Sequence, residues 1–105
     1  MKMNFYDTSS LLKKVDSLFE EEDLIAISSI TLEELENIKT SANKDVDIKY
    51  AARKLLHILD THMDDYIVQQ FSDKYLKPII KKGFSITNDM KILSCAIELN
   101  KKYEI

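Results

Sequence analysis

The sequence predicts an α/β protein in which a parallel sheet is flanked by helices. A short strand-like run at residues 3–7, which ends on Asp7, and a wholly apolar run at 24–27 alternate with longer segments whose apolar residues recur at helical spacing. Parallel strands that are covered on both faces have this continuous apolar character. Gly83 and Pro78 are the only glycine and proline, and their scarcity favours long helices over an all-β sandwich or barrel.

Size and composition narrow the possibilities further. The 105 residues predict a single domain, and an apolar fraction of 45% is ordinary for a globular protein. A net charge of −3 does not indicate nucleic-acid binding. A metal ion held by acids would nevertheless make the local electrostatic potential positive. Cys95 is the single cysteine, and neither a signal peptide nor an apolar run of membrane-spanning length is present. We therefore expect a soluble cytoplasmic protein.

The first strand–helix unit is predicted at the N-terminus. The strand at residues 3–7 ends on Asp7, and the hydroxyl residues that follow suit a helix start. Thr8 or Ser9 is the expected N-cap of that helix, because a side-chain oxygen there satisfies an otherwise unpaired backbone N–H.

The second unit starts with the strand at 24–27. Thr31 is predicted to open the next helix, with Glu34 three residues later completing a capping box. A polar loop at 41–47 then leads into a strongly amphipathic helix at 48–59, whose apolar residues fall on one face.

The remainder of the chain holds a third strand and a late helix. The strand is predicted within residues 64–68, and residues 71–83 are expected to form a loop with a helical turn. A helix is predicted over 89–101, capped by Asn88 or Thr87, and 103–105 reads as the start of a further strand. The expected buried face of the late helix consists of Ile92, Leu93, Ala96, Ile97 and Leu99.

Three acids occupy comparable positions in these units. Asp7 ends the first strand, Glu34 lies early in the helix after the second strand, and Asp89 starts the late helix. Right-handed crossovers bring strand ends and the following helix starts to one edge of a parallel sheet. Oxygen ligands without a His or Cys pair favour Mg²⁺ or Mn²⁺. Such a cation binds phosphate oxygens and generates hydroxide from water, which suits phosphodiester hydrolysis.

A simpler role for the acids stays open at this point. A carboxylate at a helix N-terminus is stabilised by the helix dipole and by capping, and this explains Asp89 well and Glu34 fairly. Asp7 is harder to explain in this way, because an acid that ends a buried strand costs desolvation energy unless something pairs with it.

Four segments of the chain together form a recognisable pattern: Phe5–Leu12, Ile30–Lys39, Tyr50–Leu56 and Thr87–Ala96. In this order they resemble the motifs of the PIN domain family. The pattern is most like the PIN domain that precedes a PhoH-type ATPase module. The resemblance covers the whole chain and implies a Rossmann-like sheet and a metal-dependent endoribonuclease acting on RNA. It also implies that Asp7, Glu34 and Asp89 bind Mg²⁺ or Mn²⁺ and carry the catalysis.

The resemblance also implies supporting residues and one alternative ligand. Thr8, Ser9 and Asn88 are expected to assist beside the metal. Glu33 is the alternative to Glu34, although the acid directly before a leucine matches the family motif better.

The sequence departs from the family at its C-terminal end. The family's fourth motif is a strand ending in Thr-x-Asp, and residues 103–105 would only start that strand. We therefore expect a C-terminally truncated PIN-like domain in which metal binding survives better than catalysis. A missing strand exposes strand edges, which predicts a homodimer or strand exchange.

Two other functions fit the same residues. One is a non-catalytic PIN-like module that binds RNA or a protein partner and self-associates. The other is a helical interaction protein whose acids serve only as caps. Arg53, Lys54, Lys81 and Lys82 are suited to phosphate contacts, but a solvated surface is the more common role of such residues.

Overall fold

A computed structural model describes residues 3–20 and 24–102 of the chain. These residues contain a three-stranded parallel sheet in the order β1-β2-β3. The strands are β1 (Met3–Tyr6), β2 (Leu24–Ser28) and β3 (Tyr66–Gln69). The α-helices are α1 (Thr8–Lys14), α2 (Ser29–Thr40), α3 (Val46–Thr61), α4 (Lys77–Lys81) and α5 (Asn88–Lys102). The prediction of a parallel, Rossmann-like α/β sheet is confirmed, while the strand expected at 103–105 lies outside the described residues.

The register of the sheet brings the carboxyl ends of its strands to one edge. Tyr6 lies opposite Ile27, and Ser28 lies opposite Gln69. β2 is the central strand, and all but the first of its residues are buried. This position explains why the sequence of β2 is apolar without alternation, since helices cover both of its faces.

The two faces of the sheet have different covers. Ile25 and Ile27 point to the larger core, which they share with α1, α2 and α3. Ala26 points to the opposite face, where it packs with Met3 and with Leu99 of α5. Because successive residues of a strand face opposite sides, β2 contributes side chains to both cores. The fully buried leucines of the larger core are Leu11, Leu18, Leu35, Leu55 and Leu59.

The start of α1 differs from the sequence prediction. The helix begins at Thr8, and Asp7 is itself the N-cap, accepting a 2.8 Å hydrogen bond from the backbone N–H of Ser10. The prediction that Thr8 or Ser9 caps this helix is therefore wrong. A carboxylate caps a helix N-terminus as well as a hydroxyl does, so the residue that follows β1 can itself cap α1.

The start of α2 differs for a similar reason. The last residue of β2, Ser28, is the N-cap, and its hydroxyl accepts a 3.0 Å hydrogen bond from the N–H of Thr31. The helix therefore begins two residues before Thr31, and the predicted capping box of Thr31 with Glu34 is wrong. Thr31 is fully buried inside the first turn.

The later helices agree with the sequence in extent. α3 covers the predicted 48–59 and is longer at both ends, with Asp45 as its N-cap. α5 covers the predicted 89–101, and the N–H of Met90 donates a 3.2 Å hydrogen bond to Thr87 Oγ1 at its start. Pro78 lies in the first turn of α4, where proline is tolerated because no intrahelical N–H is required there.

The buried face of α5 is only partly as predicted. Ile92, Cys95 and Leu99 are buried, whereas Leu93 is 61% exposed and Ile97 is 39% exposed. Residues spaced three and four apart along 92, 95 and 99 form one narrow stripe against the sheet. The prediction that Leu93 and Ile97 belong to the core is therefore wrong. No helix in residues 3–20 and 24–102 is long and apolar enough to cross a membrane.

Candidate functional site

Asp7 lies directly after β1, at the edge where the strands end. Its carboxylate is exposed and accepts the hydrogen bond from the Ser10 N–H. Hydrogen bonding by Ser10 and the positive charge of Lys13 hold the pKa of Asp7 below that of an ordinary aspartate. The capping geometry thus presents an ionised carboxylate beside the end of β1.

Glu34 is half-buried and bridges two helices. Thr8 Oγ1, in the first turn of α1, donates a 2.6 Å hydrogen bond to Glu34 Oε1. Asn88 Nδ2, at the start of α5, lies 3.4 Å from Glu34 Oε2 and donates to it. Both carboxylate oxygens are therefore held, each by a different helix.

Glu33 occupies a different position on α2. It is exposed and lines a surface groove together with Leu32, Glu36 and Asn37. Because consecutive helical residues point in directions about 100° apart, Glu33 is turned away from the bonds that hold Glu34. The geometry favours Glu34 over Glu33 as the acid of this site.

A chain of hydrogen-bonded hydroxyl groups leads from the end of β2 to Glu34. Ser28 Oγ donates to Thr31 Oγ1 over 3.1 Å, and Thr31 Oγ1 lies 3.3 Å from Thr8 Oγ1. A hydroxyl has one hydrogen, and Thr8 gives its own to Glu34, so Thr31 must be the donor in its contact with Thr8. The hydrogen bonds therefore run from the end of β2 through Thr31 and Thr8 to the carboxylate. Ser28 and Thr31 are both fully buried.

Asp89 shares a cavity with Asp7. The cavity measures about 490 Å³ and lies between the end of β1, the start of α1 and one face of α5. Asp89 stands in the first turn of α5, with the cavity-lining residues of that helix spaced three and four apart below it. The remaining lining residues are Phe5, Ser9, Ser10, Ile92, Leu93 and Ala96.

The three acids therefore gather at one edge but in two arrangements. Asp7 and Asp89 line the same cavity, while Glu34 is hydrogen-bonded to Thr8 and Asn88, the residues next to Asp7 and Asp89 in the chain. Among the described residues, no group of three His, Cys, Asp or Glu side chains is placed to hold a metal ion. The donor set itself fits a hard divalent cation, because all three groups are carboxylates. Metal-binding carboxylates are commonly held by neighbouring hydrogen bonds, as Glu34 is here.

Sequence reasoning missed several residues of this region. Thr31 was expected only to open a helix and Ser28 was given no role, yet the two form the buried hydroxyl chain. The paired serines that end the apolar run of β2 were the available signal. Lys91 Nζ lies 5.7 Å from the centre of the Phe71 ring, near the same edge, and no sequence motif pointed to this contact.

Comparison with known families gives one match. A family model described as PIN domain matches residues 5–105, a range that includes all three acids. No curated protein and no solved structure matches the chain significantly. Because the matched range covers nearly the whole sequence, the chain belongs to the PIN domain family.

Proposed function

We propose that this protein is a metal-dependent endoribonuclease that hydrolyses phosphodiester bonds of single-stranded RNA. PIN domains are generally nucleases that use divalent metals and bind RNA, and the chain belongs to that family. The observation that carries the proposal is the gathering of Asp7, Asp89 and Glu34 at the carboxyl edge of the sheet. In this proposal the three acids bind Mg²⁺ or Mn²⁺.

The side chains of the site have separable roles in this proposal. A bound cation would supply a Lewis acid for the phosphate and lower the pKa of a bound water. Asp7 contributes an ionised carboxylate, since its pKa lies below the ordinary value. Thr8 and Asn88 fix the orientation of Glu34 through their hydrogen bonds. Ser9 lines the cavity next to Asp7 and presents a hydroxyl group that is suited to a phosphate oxygen.

A thermal-shift titration tests the metal site. Millimolar Mn²⁺ is expected to raise the melting temperature of the wild-type protein, because a ligand that binds only the folded state stabilises it. Asp7→Asn, Glu34→Gln and Asp89→Asn should each reduce that rise. Asparagine retains the N-cap of α1, so Asp7→Asn separates metal binding from folding. Glu33→Gln, one residue away and exposed, is the matched control and should respond as the wild type does. A wild-type protein that Mn²⁺ fails to stabilise would rule out the site.

Cleavage of RNA tests the reaction. The wild-type protein with Mn²⁺ is expected to cut a labelled single-stranded RNA, and Asp7→Asn should reduce the rate to the level of the metal-free reaction. A single-stranded DNA of the same sequence provides the comparison substrate. Equal product from the wild type and Asp7→Asn would show that any cleavage comes from a contaminant.

A non-catalytic module that binds RNA or a protein is the second candidate. It is favoured because, within residues 3–20 and 24–102, no three His, Cys, Asp or Glu side chains are placed closely enough to hold a metal ion together. The two functions differ in one result: a binding module would retain RNA without cutting it, at every Mn²⁺ concentration and in every variant.

Self-association forms part of the proposal as well. Leu93 and Ile97 are exposed one turn apart on α5, and Leu93 also lines the cavity that contains Phe5. Two copies of this apolar strip would cover each other in a homodimer. Strand exchange stays a prediction from the sequence, because residues 103–105 lie outside the described part of the chain.

The order of the sequence motifs supports a finer placement within the family. We assign the chain to the type of PIN domain that precedes PhoH-type ATPase modules. We also place the protein in the cytoplasm, where the free, buried thiol of Cys95 would stay reduced.

A further inference from the structure

The segment that follows β3 is fixed between two helices at the active edge. The backbone N–H of Phe71 donates a 2.9 Å hydrogen bond to Ser29 Oγ, at the start of α2. The carbonyl of Ser72 accepts a 3.2 Å hydrogen bond from Ser94 Oγ of α5. Phe71 is thereby held between the start of α2 and the middle of α5, and it is only partly buried.

A lysine next to the candidate metal site lies over this ring. Lys91 Nζ is 5.7 Å from the centre of Phe71, within the range of a cation–π contact. Lys91 follows Asn88 by three residues, so the two side chains lie on the same face of α5. Asn88 donates to Glu34 from that face. The Phe71–Lys91 pair is therefore about one helical turn from the acids.

The most basic segment of the chain lies between Phe71 and Lys91 in the sequence. Residues 74–88 contain four lysines and no acid, in a protein whose net charge is −3. Lys74 pairs with Glu98. The other three lysines are exposed and form no ion pair with any residue in the described ranges; they are Lys77, Lys81 and Lys82.

An exposed aromatic residue stands beside these lysines. Phe84 is 66% exposed and follows Lys82 by two residues. The φ angle of Gly83 is +84°, a left-handed conformation that turns the chain sharply between Lys82 and Phe84. Phe84 precedes Asn88 by four positions, so their Cα atoms are at most about 14 Å apart. Phe84 thus lies within a few nucleotides' length of Asn88, and Lys81 and Lys82 precede Phe84 by three and two positions in the chain.

Alternating cations and aromatic rings suit one class of ligand. Single-stranded nucleic acids are bound by lysines that contact successive phosphates and by aromatic rings on which unpaired bases stack. A duplex hides its base faces, and a helical protein partner offers no regular row of phosphates. The exposed rings and lysines here are the two complementary groups.

We propose that single-stranded RNA reaches the acids along a basic–aromatic track formed by Phe71, Lys77, Lys81, Lys82, Phe84 and Lys91. The track rests on the proposed function, because it supplies the path of the substrate to that same site. It sets the direction of approach: the bound strand crosses Phe71 and Lys91 beside the acids and continues over Phe84 and the lysines of α4.

Fluorescence anisotropy with a labelled oligouridine of about 12 nucleotides tests the track, in excess EDTA so that no cleavage occurs. Lys81→Gln/Lys82→Gln is expected to weaken binding on the order of tenfold at low salt. Loss of two phosphate contacts should also reduce the slope of log affinity against log salt by about 1.4. Phe84→Ala should weaken binding at least about fivefold through lost stacking. Each of these positions is exposed, so the melting temperatures of the variants should match the wild type.

Matched controls come from the loop between α2 and α3 and from the start of α3. Lys44→Gln/Lys49→Gln removes the same charge, and Tyr50→Ala removes an aromatic residue that is 62% exposed. Both should stay within about twofold of the wild-type affinity, as is usual for residues that do not contact the ligand. If both double-lysine variants lost RNA affinity equally, the loss would follow from net charge alone, and the track would be overturned. Equal affinity for duplex and single-stranded RNA would overturn the assignment to single strands.

The outcomes separate this inference from the nuclease itself. If the wild type binds the oligonucleotide through the track but never cuts it with Mn²⁺, the nuclease fails and the track stands. If the wild type cuts RNA while Lys81→Gln/Lys82→Gln and Phe84→Ala bind and cut as it does, the track fails and the nuclease stands. A wild type that shows no binding overturns the track outright.

Discussion

Thr8 and Glu34 are joined by a 2.6 Å hydrogen bond that links the first turn of α1 to α2. The bond connects the two strand–helix units of the sheet at the edge where the acids gather. It also ends the buried hydroxyl chain that starts at Ser28. The orientation of Glu34 therefore depends on the correct pairing of β1 with β2, and not on α2 alone.

Removal of the Thr8 hydroxyl should weaken both folding and metal binding. Thr8→Val keeps the shape of the side chain but leaves the buried Thr31 hydroxyl without its acceptor. We expect a loss of about 1–3 kcal/mol in the free energy of unfolding and weaker Mn²⁺ binding. Urea unfolding and the Mn²⁺ thermal shift measure the two effects. Thr40→Val is the control, because the hydroxyl of Thr40 contacts only exposed backbone carbonyls; identical results for both variants would contradict the role of Thr8.

The stability of the protein should depend on pH through Asp7. The pKa of Asp7 is lower in the folded state than the ordinary value of about 3.9. A depressed folded-state pKa stabilises the protein at pH values above the unfolded pKa, and this stabilisation is lost as the pH falls through the folded pKa. Because the side chain is exposed, the effect should be small. Asp7→Asn should lack this acid-dependent loss, whereas Asp73→Asn should retain it. Unfolding by urea from about pH 6 down to pH 3 tests this, and parallel curves for wild type and Asp7→Asn would refute it.

The larger core should respond strongly to truncation of Leu55. This side chain is fully buried in the cluster formed by β2, α1, α2 and α3. Leu55→Ala is expected to cost about 2–5 kcal/mol of unfolding free energy, as other buried leucines do. Leu93→Ala removes the same atoms from a side chain that is 61% exposed on the single chain, and at protein concentrations too low for self-association it should change stability by less than about 0.5 kcal/mol. Similar losses in the two variants would show that the assignment of the α5 faces is wrong.

Self-association should depend on the exposed strip of α5. Leu93→Glu places a charge in the strip and is expected to shift the protein from dimer to monomer without unfolding it. Light scattering coupled to size-exclusion chromatography measures the mass over a range of concentrations. Val46→Glu introduces the same charge at a residue that is 76% exposed on α3 and should leave the mass unchanged. A wild-type protein that is monomeric at high concentration would count against the dimer.

Much of the fold was predictable because burial dominates the sequence pattern. The continuous apolar run of β2 and the helical spacing of α3 each reflect one environment along their whole length. The helix starts were less predictable, since Asp7 and Ser28 serve both as strand ends and as N-caps. Local capping rules alone cannot distinguish such a residue from the hydroxyl residues that follow it.

The faces of α5 show where pattern reasoning stops. Leu93 and Ile97 are as apolar as Ile92 and Leu99, so periodicity alone assigns all four to the core. Only the position of α5 against Met3 and Ala26 decides which stripe is covered. The same limit applies to Phe71, because its place beside Lys91 arises from hydrogen bonds between segments that are distant in the sequence.

The parallel register of the sheet carries a consequence for folding kinetics. Met3 pairs with Leu24, which is 21 positions further along the chain (24 − 3), and Ile25 pairs with Tyr66, which is 41 positions further (66 − 25). Non-local pairings of this kind form slowly, because loop-closure entropy is lost before the contacts are gained. The three acids should therefore come together only in the last cooperative folding step. In a stopped-flow refolding experiment, Mn²⁺ binding should then appear no earlier than the native fluorescence or circular dichroism signal. In the proposed nuclease, a nascent or partly folded chain would then be unable to cut RNA, because the sheet topology delays assembly of the site until folding is complete.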